Sequence, residues 1–274
     1  MKNITRTIAS RILQPRMKQS HKGTYGHSLL IAGSKGRMGA AVIASRACLR
    51  TGTGLLTTLI PLEERIILQT AIPEAMLSFR ENKFNTINNF DVVGIGPAIG
   101  TDKVAEKLLK TVIDTYHKPL VIDADAISII ALNKNWLNKI PPGSIFTPHV
   151  KEFDRLFGTH DSDAERIKAA IKIAGNKKII IVLKGPHTLV TDGKDSFKNT
   201  TGNAGLAKGG SGDALTGMIT AFLAQAYTPL NAAILAVYLH GMAADIAIKE
   251  QSMESLLASD VIENLGKAFR QIYL

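Results

Sequence analysis

The stretch 28-SLLIAGSKGRMGAAVIASRACLRTGTGLLTTLIP-61 decides the fold. Its first part, "SLLIAG" (28–33), is a continuous apolar run ending on Gly33, the pattern of a buried strand. "GAAVIASRACLRTG" (39–52) follows as a helix, with Gly52 placed to cap its C-terminus. "LLTTLI" (55–60) is a second strand, stopped by Pro61. Strand, glycine loop, helix and strand make a parallel βαβ unit. The strands do not alternate apolar and polar residues, so the sheet is expected to be covered on both faces.

The same alternation continues outward. "DVVGIG" (91–96), "LVID" (120–123), "SIFT" (144–147) and "KIIIVLKG" (178–185) read as strands. "VAEKLLKTVIDTY" (104–116) and "ERIKAAIKIAG" (165–175) read as helices, the second ending on Gly175. "TLVTDGKDSFKN" (188–199) predicts a β-hairpin turning at Asp192-Gly193, an antiparallel addition at one edge. Beyond residue 225 the chain is expected to be mostly helical to Leu274. No linker or repeat interrupts the pattern, which predicts one α/β domain over residues 1–274: a three-layer sandwich with a mostly parallel central sheet, helices on both faces and an antiparallel edge hairpin.

Composition narrows the class. With 45% apolar and 20% charged residues the chain reads as globular rather than disordered. Apolar runs such as "IIIVL" (179–183) are too short to cross a bilayer, and the N-terminus shows no apolar signal segment. The single Cys48 excludes an internal disulfide framework and a cysteine zinc cluster, and a cytoplasmic location is the simplest expectation. The net charge of +10 is concentrated at the start: ten basic residues and no acid precede Glu63. A nucleic-acid arm, a transit peptide and a face toward a polyanionic small molecule all produce such a bias. Aromatic residues do not interleave with the charges, and several basic positions fall within core elements, which favours the small anion.

In a parallel sheet, ligands bind beyond the C-terminal ends of the strands. "GSKGRMGAA" (33–41), "GPAIGT" (96–101), "DADA" (123–126), "TPHVKEF" (147–153), "KGPHT" (184–188) and "AKGGSGD" (207–213) are therefore expected to gather at one edge. The last carries the most chemistry. Gly209, Gly210 and Gly212, with Ser211, let backbone N–H groups converge in front of a helix N-terminus, an anion hole for a transferring phosphoryl group. Asp213 beside it reads as general base for an attacking hydroxyl, or as a plain helix cap. Lys184 and Thr188 are candidate nucleotide contacts. Asp123 and Asp125 fit either a water-bridged Mg²⁺ or an ordinary turn. No G-x-S-x-G, H-E-x-x-H or C-x-x-C pattern occurs.

Taken in order, "HKGTYGHSLLIAGS", "GAAVIASRACLRTGTGLLT", "GPAIGT", "VIDADAI", "TPHVKEF", "VLKGPHTLV" and "NTTGNAGLAKGGSGDALTGMI" resemble the ADP/ATP-dependent NAD(P)H-hydrate dehydratases of the ribokinase-like superfamily, from about His21 to His240. The resemblance implies a ribokinase-like fold and a repair reaction. The 6-hydroxyl of hydrated NADH or NADPH is phosphorylated from ADP or ATP with Mg²⁺, and phosphate is eliminated. It implies Asp213 as the base and Gly209–Gly212 as the anion hole. Lys184, Gly185, Pro186, His187, Thr188 and Gly212 would contact the nucleotide, and Ala40, Ala98, His149 and Asp213 the hydrated cofactor. It implies a homotetramer acting on small molecules, with neither nucleic acid nor membrane as partner. The chain departs from the family's usual G-P-G at Gly96-Pro97-Ala98, and from P-G-E-F at Val150-Lys151-Glu152-Phe153. Only some twenty residues precede the first motif, so no epimerase activity is expected. A hydroxyethylthiazole-type small-molecule kinase would share the anion hole and the aspartate, but "HKGTYGH" and "TPHVKEF" argue against it. A non-catalytic nucleotide-binding protein is the alternative of a different class.

Overall fold

The computed structural model describes residues 1–81 and 87–273. In chain order the elements are β1 (Lys2–Asn3), α1 (Arg6–Ile12), β2 (His27–Ile31), α2 (Gly39–Thr51), β3 (Leu55–Ile60), α3 (Arg65–Ala71), β4 (Met76–Phe79), β5 (Val92–Ile95), α4 (Lys103–Thr115), β6 (Leu120–Ile122), α5 (Ala124–Leu132), β7 (Ile145–Phe146), α6 (Val150–Phe157), α7 (Asp163–Lys177), β8 (Ile180–Leu183), β9 (Leu189–Thr191), β10 (Ser196–Lys198), α8 (Ser211–Ala224), α9 (Pro229–Ala247) and α10 (Ala258–Tyr273). The strands form one sheet in the order β1-β10-β9-β8-β7-β6-β5-β2-β3-β4. Every pairing from β4 across to β8 is parallel. The β9–β10 hairpin adds antiparallel to β8, as the Asp192-Gly193 turn predicts, and β1 pairs parallel with β10 outside it.

Alternate residues along the strands pack on opposite faces of the sheet, and Leu30, Leu56 and Ile60 of β2 and β3 join a further cluster with α2 and α3. Leu29, Ile31, Val93, Ile95, Leu120, Ile122 and Phe146 pack toward α4, α5, α6 and α7. Val92, Val121, Ile145, Ile180 and Val182 point the other way, into the core built with α8, α9 and α10. Burying each such side chain contributes about 1.5–3 kcal/mol, so the uninterrupted apolar runs reflect two separate demands on each strand. Helix α9 is long and apolar enough, by length and composition, to cross a membrane, but most of it lies inside the protein against α8 and α10. Cys48 is fully enclosed, and burial pushes its thiol up to about 12, with a partial offset from Ser28.

Tight packing of α8 on α2 places the catalytic-looking segment. At Gly217 an added Cβ would stand 2.1 Å from the carbonyl oxygen of Ala44. The two backbones therefore approach as only glycine allows.

Some expectations change. The helix expected over 165–175 is α7, which starts at Asp163 behind the Ser162 cap and continues to Lys177, where Lys178 at φ 55° ends it. Gly175 does not stop it. The close approach there is made by the hairpin turn, since a Cβ on Gly193 would lie 2.2 Å from the Gly175 nitrogen, whereas a Cβ on Gly175 would meet Gly193 only at 3.6 Å. "DADA" and "TPHVKEF" are not simply loops, because α5 starts at Ala124 and α6 at Val150. The expected C-cap at Gly52 is present, in the left-handed region at φ 103°. The expectation for Leu274 lies outside the described residues.

Candidate active site

Because β3, β2, β5, β6, β7 and β8 run parallel, their C-terminal ends lie on one side, and the following loops are tied together there. The Gly33 N–H donates to the Pro97 carbonyl at 2.8 Å, joining the loops after β2 and β5. The Gly100 N–H donates to Asp125 Oδ2 at 2.9 Å, joining the loop after β5 to the first turn of α5. An isolated parallel bridge joins His149 to Lys184.

The centre of the site is Asp123, 1% exposed at the end of β6. Its Oδ1 accepts from Thr147 Oγ1 at 2.7 Å and from Lys184 Nζ at 2.9 Å. Its Oδ2 accepts from Thr216 Oγ1 at 2.8 Å, one turn along α8 from Asp213. A buried carboxylate persists only when paired and hydrogen-bonded, and these contacts pin β7, β8 and α8 to the end of β6. Lys184 also lies 4.0 Å from Glu152 Oε2. Burial works against the charge on Lys184, but Asp123, Glu152 and Asp213 hold its pKa above the ordinary lysine value.

Helix α8 opens at this point. Gly210 caps it at φ 92° without a side-chain hydrogen bond, so Asp213 is not the cap. The N–H groups of Gly210, Gly212 and Asp213 make no backbone hydrogen bond among the described residues, while Ser211 donates to Lys208. Gly209 has open space beside it, and a Cβ on Gly212 would stand 3.3 Å from Lys184 Nζ. Unpaired N–H groups at a helix start attract anions. The Asp213 carboxyl is pushed up to about 6, first by burial, then by Asp123, with Lys184 opposing and Asp125 adding to the rise. Beneath them, His240 is held down to about 4 by burial and by Lys184, against the backbone of Ser211.

The structure brings Asp213, Gly212 and Lys184 together. His149 stands at the rim with its side chain half exposed and caps α6: Glu152 Oε2 accepts from the His149 N–H at 2.8 Å, and His149 Nδ1 accepts from the Glu152 N–H at 3.2 Å. Gly185, Pro186 and His187 form an exposed loop closed by Thr188 Oγ1 donating to the Gly185 carbonyl at 3.2 Å. Ala40 lies in the first turn of α2 and Ala98 after β5, on the linked loops farther along the edge. Asp123 as a hub, with Thr147 and Thr216, escaped the sequence reading because side chains converging from three elements leave no local spacing.

Ala98 adopts φ 52°. The left-handed backbone expected of glycine persists here with a methyl group in place. An L-residue is strained there by about 1–2 kcal/mol, partly offset by the entropy glycine loses on folding. Ala98→Gly should therefore stabilise the protein by about 0.5–1 kcal/mol, read as a higher Tm in thermal unfolding.

Among the described residues no group of three His, Cys, Asp or Glu side chains could hold a metal ion. Both oxygens of Asp123 are taken by neighbours, and Asp125 serves the Gly100 amide. Mg²⁺ fits this site as an ion carried on nucleotide phosphates, the usual manner of a metal that keeps most of its waters.

Comparison with known proteins matches residues 28–267 to the NAD(P)H-hydrate dehydratase family. An ADP-dependent (S)-NAD(P)H-hydrate dehydratase of Listeria monocytogenes is 35% identical over 271 residues, covering 97% of this chain and 95% of that one. A bifunctional NAD(P)H-hydrate repair enzyme of Escherichia coli is 34% identical, and the match covers 93% of this chain but 50% of that protein. Among solved structures, the Bacillus subtilis ADP/ATP-dependent NAD(P)H-hydrate dehydratase co-crystallised with ATP and Mg²⁺ superposes with a TM-score of 0.88 at 30% identity, covering 99% and 98% of the two chains. A ribokinase-like superfamily protein of Enterococcus faecalis gives the same score at 29% identity, covering 99% and 96%. A hydroxyethylthiazole kinase of Pyrococcus horikoshii, at 16% identity and a TM-score of 0.65, shares the fold alone. This chain, with its ribokinase-like sheet and its glycine-fronted helix α8, belongs to the NAD(P)H-hydrate dehydratase family.

Proposed function

We propose that this protein returns the S-form of hydrated NADH or NADPH to the reduced cofactor, using ADP or ATP as phosphoryl donor. The observation that carries the reading is the pairing of Asp213, pushed up to about 6, with unpaired N–H groups at the start of α8. Asp213 takes the proton from the cofactor's 6-hydroxyl as that oxygen attacks the terminal phosphorus of the donor. The bond between that phosphorus and its bridging oxygen breaks, leaving AMP from ADP or ADP from ATP. The N–H groups of Gly210, Gly212 and Asp213 face the charge that develops on the phosphoryl oxygens. Lys184, oriented by Asp123, supplies a fixed positive charge beside them. Loss of the new phosphate from the ring, with a proton from the neighbouring carbon, restores the double bond. Mg²⁺ on the donor's phosphates would neutralise their charge.

The loop Gly185–Thr188 is assigned to the nucleotide, and Ala40, Ala98 and His149 to the hydrated cofactor. Family membership and the position of these loops at one sheet edge support both assignments. A homotetrameric assembly and a cytoplasmic compartment belong to the same reading.

The test mixes the protein with hydrated NADH, Mg²⁺ and either ADP or ATP, and follows the return of dihydronicotinamide absorbance. Recovery with either donor supports the reading and identifies the donor. No recovery from a folded protein that binds nucleotide overturns it. A pH series adds a second check. The base must be ionised, so kcat/KM should fall about tenfold per pH unit below about 6, the value to which Asp213 is raised. An acid limb near 4 would show that Asp213 is not the titrating group.

A further inference from the structure

We propose that Arg37 and Arg80, with Ser34, bind the diphosphate bridge of the dinucleotide substrate; this subsite rests on the dehydratase reading and extends it. Arg80 follows β4, two strands beyond β2, yet its guanidinium reaches back so that Nη2 donates to the Gly33 carbonyl at the end of β2. Its backbone is fixed by an N–H bond to the Ile60 carbonyl at 3.1 Å. Its Nε and the hydroxyl of neighbouring Ser34 are buried atoms with no hydrogen-bond partner among the described residues. Leaving buried donors unpaired is costly, and two at one sheet end mark a place built to receive an acceptor.

Arg37, on the loop after β2, stands near Asp102, the carboxylate that also acts on Arg80 at longer range. Arg37 Nη2 lies 3.9 Å from where a Cβ on Gly100 would stand, and Asp102 Oδ2 lies 3.8 Å from that point. Asp102 is committed to capping α4, accepting from the Val104 and Ala105 N–H groups. Glu63, Glu81 and Asp102 face Arg80 at longer range. None of them forms an ion pair with either arginine among the described residues, so neither guanidinium is committed to a carboxylate.

The order of the sheet gives the anion its identity. The nucleotide loop follows β8, Asp123 ends β6, and Ala98 and Ala40 follow β5 and β2. The donor thus enters from one side of Asp213 and the acceptor lies on the other. Neighbouring strands are about 4.8 Å apart, so β2, where Arg80 is anchored, stands about 10 Å from β6. A nicotinamide ring and its ribose would fill that gap, leaving the diphosphate beside the two arginines. Arginine binds phosphate through paired, charge-assisted hydrogen bonds.

The experiment measures two quantities for Arg37→Ala, Arg37→Glu and Arg80→Gln: KM for hydrated NADH and for the phosphoryl donor, and equilibrium binding of NADPH by its own fluorescence. Arg37 is exposed and makes no hydrogen bond through its side chain among the described residues, so its variants test the subsite without a folding defect. Each single variant should raise the hydrated-NADH KM and weaken NADPH binding by about tenfold, and Arg37→Glu by more, while the donor KM moves less than about twofold. Arg80→Lys, which keeps the charge, should recover part of the loss. A wild type that binds NADPH but regenerates none from its hydrate, with variants that lose binding, would sink the dehydratase reading and leave the subsite standing. Variants of unchanged Tm that bind NADPH and hydrated NADH as the wild type does would overturn the subsite. A wild type that neither binds NADPH nor acts on its hydrate would overturn both.

Discussion

Asp213→Asn should lower kcat about a thousandfold and at the same time make the folded protein more stable at neutral pH. Both effects arise from one carboxyl group. As general base it accepts the proton of the attacking hydroxyl, and the amide of asparagine cannot. As a half-buried group beside Asp123 it resists ionisation, which raises it from 3.8 to about 6. Below pH 3.8 the carboxyl is neutral in both folded and unfolded chains and costs nothing. As pH rises from there through about 6, the unfolded chain ionises first, and the folded state loses stability on the order of 2–3 kcal/mol. Asparagine keeps the shape and removes the charge. Its stabilising effect should therefore be present at pH 8 and vanish near pH 3.5. Paired denaturation curves at the two pH values, run beside the absorbance assay, check both halves. Equal stability of mutant and wild type at pH 8, together with intact activity, would remove Asp213 from the centre of the mechanism.

Gly217→Ala should destabilise the fold by about 3 kcal/mol or more, although it adds only one methyl group and favours helix locally. Alanine is the better helix former by about 1 kcal/mol, so propensity alone predicts a gain. The contact reverses the sign. The new Cβ would sit 2.1 Å from the Ala44 carbonyl oxygen and 3.1 Å from the Cys48 nitrogen, both backbone atoms of α2 that no side-chain rotation can move. The helices must separate, and overpacking in a close-packed interior is costly. The displacement would also carry Thr216 away from Asp123 and Asp213 away from Lys184, so residual folded protein should show reduced kcat. Urea unfolding monitored by circular dichroism measures the loss. A variant as stable as the wild type would show that α2 and α8 can separate freely.

The alternation of strand and helix was legible because apolar runs and glycine loops are local signals. The parallel sheet, its two covered faces and the antiparallel hairpin follow from patterns within a few residues of each other. The same holds for the glycine-rich segment before Asp213, whose place in front of a helix depends only on neighbouring backbone. Gly193 shows the limit: it reads locally as a turn residue, but a Cβ on it would also stand 2.2 Å from the Gly175 nitrogen on α7, a demand set by another element. The short edge strands β1 and β4 and the helices α1, α3, α5 and α6 also escaped the sequence, since short elements depend on packing more than on propensity.

By itself, then, the sequence determined the alternation of the principal strands and helices, the end of the sheet at which the loops after the strands gather and the residue type at the start of α8. The tertiary structure alone decided that Asp123 is a buried anchor for Thr147, Lys184 and Thr216, that Asp213 is raised by its surroundings, and that Arg80 reaches back to Gly33 across the sheet. The physical reason is the range of the forces concerned. Backbone preferences and apolar periodicity are written within a helical turn or a strand pair, whereas desolvation and charge pairing arise only when residues distant in the chain exclude water together.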